Sequence, residues 1–300
     1  MSTDWGTAGT GTFTSTSHSQ PYDAIDPSKV TLPNPFVVCV VGASRGIGAG
    51  VAFNFAKAGV SGIVLASRRT SGLEATAAEC KKINPKIQTA IVSCDITSAD
   101  SVANLASETQ AKFGRLDVVV INSGFSGPVK LKVTETDPET FLNASNVNYV
   151  GTFLAAKYLI PLLLETEHGA KTLITVSSLA SLIVRGPIAN AQYCVSKTAQ
   201  LKLMEHIHEQ YLDEGLATYA IHPGAVLSEM ADETTPDAFR PYLTDSPELC
   251  GAFCVWLVKD DSKRSWLTGR LLSAKWDCIE LEKRKEDIIV KDLLKLKLTL

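Results

Sequence analysis

The sequence predicts an α/β protein: a single doubly wound parallel β-sheet with helices on both faces. Two observations carry this. Short apolar runs alternate with longer stretches of helical periodicity along most of the chain, the order that a parallel sheet with crossover helices requires. The first run, Phe36-Val37-Val38-Cys39-Val40-Val41, leads directly into Gly42-Ala43-Ser44-Arg45-Gly46-Ile47-Gly48, so a buried strand passes into a glycine turn and then a helix.

The elements follow in order. Residues 1–20, rich in Ser, Thr and Gly, read as a mobile tail. Residues 21–35, with prolines at 21, 27, 33 and 35, read as an extended lead-in whose Tyr22 and Ile25 lie on the body. The fold proper starts near Phe36, and Val51 to Gly59 form the first helix with Gly59 ending it. Strand-like runs recur at Ile63–Ala66, Ile87–Ser93, Leu116–Ile121, Thr172–Val176 and Ala217–Ile221, separated by helical patterns near 72–83, 98–113, 138–164, 190–212 and 246–259. The single main domain spans 36–275 and includes a lid at about 226–245. Residues 276–300 read as an amphipathic helix, with Ile288, Ile289, Leu293, Leu294 and Leu296 covering the body or a sister subunit. A membrane-surface helix is the alternative, and Glu280, Glu282, Glu286, Asp287 and Asp292 break up the basic face it would need.

Composition narrows the function classes. In 300 residues, 45% hydrophobic and 20% charged, the chain has the make-up of a globular protein with one substantial core. A net charge of -3 and no Lys/Arg cluster interleaved with aromatics argue against nucleic acid as a partner. No apolar run approaches the roughly 18 to 20 residues of a membrane span, and residues 1–20 resemble neither a secretory nor a mitochondrial targeting signal. A cytoplasmic location without membrane association is expected. The seven cysteines lack CxxC spacing, so neither a disulfide framework nor a metal site is expected, and most read as buried small hydrophobes.

The glycines of 42–48 allow a tight turn and close backbone approach, so a pyrophosphate can rest on the N–H groups of the following helix. Further on, Tyr193 and Lys197 stand four apart in a helical stretch and project from one face. A phenol ordinarily ionises near pH 10, and an adjacent ammonium favours its anion, which suits Tyr193 to proton transfer. This pair opens the helix after the fifth strand, which ends in Thr175-Val176-Ser177-Ser178. Open parallel sheets bind ligands at strand C-termini. There the hydroxyls of Ser178 and Tyr193 can hydrogen-bond a carbonyl oxygen on which negative charge develops during hydride transfer. Ser177 and Ser181 are alternatives to Ser178.

Glycine turn, strand-end serine and Tyr-x-x-x-Lys, in this order, resemble the short-chain dehydrogenase/reductase family over roughly residues 36–275. The resemblance implies a Rossmann-like fold and a nicotinamide cofactor. Gly42, Ser44, Arg45, Gly46, Ile47 and Gly48 match the family's phosphate-binding turn. Asn122-Ser123-Gly124 resembles its Asn-Ala-Gly segment, with Asn122 and Gly124 supporting the cofactor. Asp95, beside Ile96, matches the acid that contacts adenine. Asn148 matches the asparagine whose bound water links the lysine to solvent. His222-Pro223-Gly224-Ala225-Val226 resembles the turn beside the nicotinamide, with Val226 and Ser228 as carboxamide or phosphate contacts. Lys197 also contacts the nicotinamide ribose in this reading. Val41 and Ser228 depart from the family, which usually has Thr at both places, and the 15-residue step from Ser178 to Tyr193 is longer than usual.

Charge decides the cofactor. Ala66-Ser67-Arg68-Arg69 follows the second strand, with no acid to grip an unphosphorylated ribose. Arg68 and Arg69, with Ser67 and Arg45, suit a 2′-phosphate, so NADP(H) is expected. The expected activity is NADP(H)-dependent reduction of a ketone or aldehyde, or oxidation of the matching secondary alcohol, with Ser178, Tyr193, Lys197 and Asn148 as catalytic residues. Phe125, Ile183, Ile188, Gln192 and Met230 suggest a bulky, mostly apolar substrate. The terminal extensions resemble those of fungal members, pointing to secondary metabolism. Alternatives are a redox-neutral cyclase, dehydratase or epimerase with bound NADP, and a nucleotide-sensing regulator. The helices at 138–164 and 190–212 match those through which family members pair, implying a homodimer or homotetramer.

Overall fold

The computed structural model describes residues 10–260 and 264–298. Seven parallel strands lie in the order β3-β2-β1-β4-β5-β6-β7. They are β1 (Val37–Val41), β2 (Gly62–Ser67), β3 (Gln88–Ser93), β4 (Val118–Ile121), β5 (Thr172–Val176), β6 (Ala217–His222) and β7 (Arg270–Ser273). Strand β1 is buried along its whole length. Its side chains alternate between two cores, Val38 and Val40 on one face and Val37, Cys39 and Val41 on the other, as the two-residue period of a strand covered on both sides dictates.

One core is roofed by α1 (Gly46–Lys57) and α8 (Leu249–Val258), which bring Phe55, Phe253 and Trp256 onto the sheet. The other lies under α3 (Ala99–Phe113), α5 (Gly151–Glu165) and α6 (Ala191–Gln210), with Leu105, Leu159 and Met204. Helix α1 ends where Gly59 takes φ 81°, a left-handed conformation that glycine adopts without a Cβ clash. Helix α2 (Thr70–Ile83) covers the β2 and β3 edge, and α4 (Pro138–Ser145) continues through one π turn, Asn146–Val150, into α5. From β1 the chain winds outward to β2 and β3, then returns to place β4 on the other side of β1. That reversal leaves a crevice above the C-terminal ends of β1 and β4.

The architecture is the expected one, with four differences in detail. A seventh strand, β7, pairs with β6 from Tyr219↔Arg270 to His222↔Ser273. It was hidden because a buried arginine opens a run of only four residues; Arg270 is 8% exposed and pairs with Asp292 at 2.9 Å. Residues 1–9 lie outside the described residues, but 10–20 are held to the body, against the expectation of a mobile tail. Ser17 forms an antiparallel bridge with Trp276, Phe13 packs on the Trp276 ring, and Ser15 donates through N–H and hydroxyl to Glu280.

The C-terminal segment is two short helices, Cys278–Lys283 and Lys285–Val290, rather than one long one. It covers this chain's own core with Leu281 and Ile288. Finally, Pro138–Glu165 forms a 28-residue helical stretch with a window of mean hydropathy 1.4, long and apolar enough by those two measures to cross a bilayer. The expectation of no such length fails because the helix carries apolar side chains on two sides. Ala155, Leu159 and Leu163 face the core, while Leu142, Val150 and Phe153 are exposed. All seven cysteines are free and buried.

Candidate active site

The crevice has a volume of about 230 Å³. Gly42, Ser44, Arg45, Gly46 and Ile47 form its floor at the start of α1. Gly42 stands at φ 91°, and a Cβ there would strike the Ser123 backbone nitrogen at 2.7 Å. Gly48 lies behind the wall: a Cβ on it would meet the Gly42 carbonyl oxygen at 2.0 Å and the Asn122 amide at 2.6 Å. Any side chain at either place would push the first turn of α1 off the strand, so the glycines keep the helix N-terminus open to an anion.

Around this floor, strand ends supply the walls. Ser67 ends β2 and Arg68 and Arg69 follow it, Asp95 and Ile96 follow β3, and Asn122, Ser123 and Gly124 follow β4. Asn122 braces the turn by donating from Nδ2 to the Gly42 carbonyl at 2.9 Å. The Asp95 carboxylate accepts from the Thr97 N–H at 3.0 Å and hydroxyl at 2.8 Å, which lowers its pKa. At the other end stand Tyr193, Lys197, Pro223, Ser228 and Met230. Two expected contacts stand off the wall. Gly224, at φ 102°, backs onto the Asp245 carboxylate, and Val226 is buried at 6% exposure.

Helix α6 delivers the proton-transfer pair. Asn190 caps it, accepting from the Tyr193 N–H at 3.0 Å, and the four-residue step sets Lys197 one turn further along the same face. Ser178 is the side chain that acts on the Tyr193 hydroxyl, pulling its pKa down against burial. Ser178 caps the short turn Leu179–Leu182, its Oγ accepting from the Ala180 N–H at 3.0 Å. Of the alternatives, Ser181 gives its hydroxyl to the Ser178 carbonyl at 2.7 Å, and the buried Ser177 Oγ has no hydrogen-bond partner. Of the three serines, Ser178 is the one that influences the tyrosine, and Ser177 is the one in the crevice wall.

The electrostatics differ from the sequence expectation. Burial pushes the Tyr193 phenol up to about 12, with the Ser178 hydrogen bond pulling the other way. Burial also depresses the Lys197 ammonium to about 7. Nζ of Lys197 lies 5.9 Å from the Tyr193 ring centroid and donates to the Val176 carbonyl at 2.9 Å and to Gln200 Oε1 at 3.1 Å. Burial thus outweighs the Ser178 influence at the phenol and brings the ammonium pKa close to neutrality.

Asn148 sits in the π turn, fully buried. Its Oδ1 accepts from the Phe125 N–H at 2.9 Å, while Nδ2 donates to the Phe125 carbonyl at 2.8 Å and to Ser196 Oγ at 2.9 Å. Its side chain is thus spent on holding the loop after β4. The connection to Lys197 runs through Gln200, a residue that sequence reasoning missed although it lies three positions along the same helix. Gln200 Nε2 donates to the Asn148 carbonyl and to Thr152 Oγ1, both at 2.9 Å, while Oε1 accepts from Lys197. All of this is buried, so Gln200→Leu is expected to cost about 2–3 kcal/mol of folding stability, since it orphans several polar partners. Urea denaturation checks it; a midpoint equal to that of the unsubstituted protein would contradict the bridge.

The suggested substrate contacts do not assemble together. Met230 lines the crevice, but Gln192 is buried and donates to the carbonyls of Pro128 at 2.8 Å and Ser126 at 3.4 Å. Ile188 packs with Ile183, Cys194 and Tyr193, and the Phe125 backbone is taken up by Asn148. Gln192 and Phe125 hold loops in place because the segment after β4 folds back onto α6. A second missed residue is Glu229, which opens helix α7 (Glu229–Thr234). Its carboxylate reaches Arg45 at 2.5 Å and Arg69 at 3.5 Å, so this acid already holds two of the three arginines at the crevice.

The glycine cradle, the helix N-terminus behind it and the arginines at the β2 end together fit a dinucleotide phosphate, and Tyr193 and Lys197 line the far end. Fold and site define a nicotinamide-dependent oxidoreductase. The chain belongs to the short-chain dehydrogenase family, whose profile matches residues 36–238. Among its relatives, the short chain dehydrogenase pgmD of Aspergillus terreus is 36% identical over 94% of this chain and 93% of its own. The short chain dehydrogenase citE of Monascus ruber is 38% identical over 96% and 97%. A 7α-hydroxysteroid dehydrogenase structure, complexed with NADH and a 7-oxo bile acid, shares the fold at TM-score 0.71 and 22% identity, covering 84% of this chain and 96% of that one.

Proposed function

We propose that the protein uses NADP(H) to reduce a ketone or aldehyde of a bulky, mostly apolar small molecule, or to oxidise the matching secondary alcohol. The observation that carries this reading is Tyr193 and Lys197 together in the crevice wall, one helical turn apart, with Ser178 acting on the phenol. Gly42 to Gly48 and the α1 N-terminus would hold the pyrophosphate, and Asp95 and Ile96 the adenine. Asn122 and Gly124 would support the cofactor, and Ser67, Arg68 and Arg45 would take a 2′-phosphate. Lys197 would reach the nicotinamide ribose, with Pro223 and Ser228 beside the nicotinamide and Gly224 and Val226 shaping the turn behind them.

Bound NADPH supplies the hydride. The protein's part is to receive the charge that develops on the carbonyl oxygen. Ser178 Oγ donates a hydrogen bond to that oxygen, and Tyr193 Oη gives up its proton to it. A phenol held at about 12 is protonated throughout the physiological range, which favours the reductive direction. Alcohol oxidation needs the phenolate and gains rate as pH rises. The Asn148 and Gln200 connection keeps Lys197 aimed.

The reading extends to a step in secondary metabolism, supported by the resemblance of the terminal extensions to fungal members and by the near-complete overlap with Aspergillus and Monascus relatives. It extends also to a homodimer or homotetramer, supported by exposed Leu142, Tyr149, Val150, Phe153 and Val195 along the 138–165 helix and α6. Sedimentation as a monomer would contradict that. Loss of NADPH absorbance with a panel of aryl and alicyclic ketones tests the activity. Net consumption is expected. Substrate conversion without net cofactor change would instead mean a cyclase, dehydratase or epimerase, and cofactor binding without any turnover would mean a sensor.

A further inference from the structure

A second cavity, of about 380 Å³, lies beyond the Pro223 turn. Its walls are Leu179, Phe239 and Tyr242, and Trp276 after β7, with Gly11 and Ser17 of the N-terminal segment closing the outer side. Leu179 directly follows Ser178, and His222, also in the wall, directly precedes Pro223 of the crevice. The two spaces therefore share the strand ends of β5 and β6. The terminal segments hold Trp276 in its wall position: Ser17 bridges to it, and His18 pairs with the adjacent Asp277 at 2.9 Å.

The wall also carries Ser17, Asp245, Ser273 and Lys275, and among its partly buried or buried polar side chains His222 keeps a ring nitrogen without a partner. Its Nδ1 accepts from the Leu179 N–H at 3.3 Å, so the neutral ring carries its proton on Nε2. Burial drives the imidazole down to about 4, and the ring stays neutral at physiological pH. Among the described residues no hydrogen bond is formed by Nε2. The neighbouring charges are already satisfied, because the Asp245 carboxylate takes Lys275 and the Ala225 N–H. A donor held in such a wall lacks a partner that a ligand can supply.

We propose that this cavity receives the non-reacting part of the substrate, a planar aromatic ring system bearing an oxygen that accepts a hydrogen bond from His222 Nε2. The proposal rests on the reading of Ser178 and Tyr193 as the carbonyl-binding pair. A substrate whose carbonyl lies on those hydroxyls extends over Leu179 into the second space, where the exposed Tyr242 side chain stands beside Phe239 and an aromatic ring system can pack against it. The N-terminal segment thereby acts as a wall of the substrate site.

The test compares two probes, acetylnaphthalene and an acetylnaphthol with its hydroxyl on the ring remote from the ketone. The wild-type protein is expected to favour the acetylnaphthol by about fivefold to tenfold in kcat/KM, the discrimination one buried hydrogen bond supports. In His222→Asn, whose amide oxygen still reaches the Leu179 N–H but whose donor is withdrawn from the cavity, the ratio should fall to about one, mainly through KM. An unchanged ratio overturns the proposal.

Binding of the acetylnaphthol to the NADPH complex of Tyr193→Phe, read by naphthol fluorescence, separates this idea from the catalytic one. Binding weakened by adding His222→Asn supports the cavity even if no ketone is turned over. Binding indifferent to His222 sinks it even if reduction proceeds. Tyr242→Ala provides a second variant, with weaker binding of both naphthyl probes expected; unchanged binding of both would also count against the site.

Discussion

Tyr193→Phe is expected to lower ketone reduction by on the order of a thousandfold or more, within the range that general acid catalysis contributes, with NADPH affinity retained. Phenylalanine keeps the ring against Ile183, Ile188 and Cys194 and removes only the hydroxyl on which Ser178 acts. Single-turnover kinetics with a saturating cofactor check this. Turnover surviving at even a tenth of the original rate would remove Tyr193 as the proton donor. The pH dependence carries a matching expectation. Lys197, depressed to about 7 by burial, is charged below that value and neutral above it. Its charge assists the phenol in releasing a proton, so the reduction rate should decline as pH rises through about 7. A rate constant that holds level well into the alkaline range would show that the ammonium contributes nothing.

The second large effect concerns the cofactor. Arg68→Asp is expected to weaken NADPH by about thirtyfold or more, because a charge-assisted contact to phosphate is lost and a repulsive carboxylate takes its place. NADH should lose little or gain. Equal loss of both coenzymes would show that Arg68 does not read the 2′-phosphate. Glu229→Gln should act in the opposite sense and by less. It frees Arg45 and Arg69 from a partly exposed pair, and exposed pairs are weak, so a gain of only a few-fold in NADPH affinity is expected. Fluorescence titration of the four protein and coenzyme combinations reads both substitutions at once.

The parts of the site that were legible in the sequence are those set by local spacing. The glycine turn after an apolar run, the strand-end serine and the four-residue step from Tyr193 to Lys197 each follow from a single element's geometry, and the crevice is lined by the glycine turn, Tyr193 and Lys197. The substrate contacts were not legible, because they depend on which way a loop folds back. Gln192 looked like a pocket residue, yet the segment after β4 returns over α6 and claims its amide for the Ser126 and Pro128 carbonyls. Gln200 went unnoticed for the complementary reason. Its three partners, Lys197, Asn148 and Thr152, come from two different helices, and only their packing turns an ordinary helical glutamine into a bridge.

By itself the sequence determined a parallel sheet with a glycine turn at its switch point and a tyrosine and lysine on one helical face, because periods of two and 3.6 residues are properties of neighbouring positions. Only the tertiary structure decided that Ser178 influences Tyr193, that burial raises the phenol pKa, and that Ser17 stands in a cavity wall with Trp276. Those outcomes arise from desolvation and from contacts between residues far apart in the chain, which no local pattern encodes.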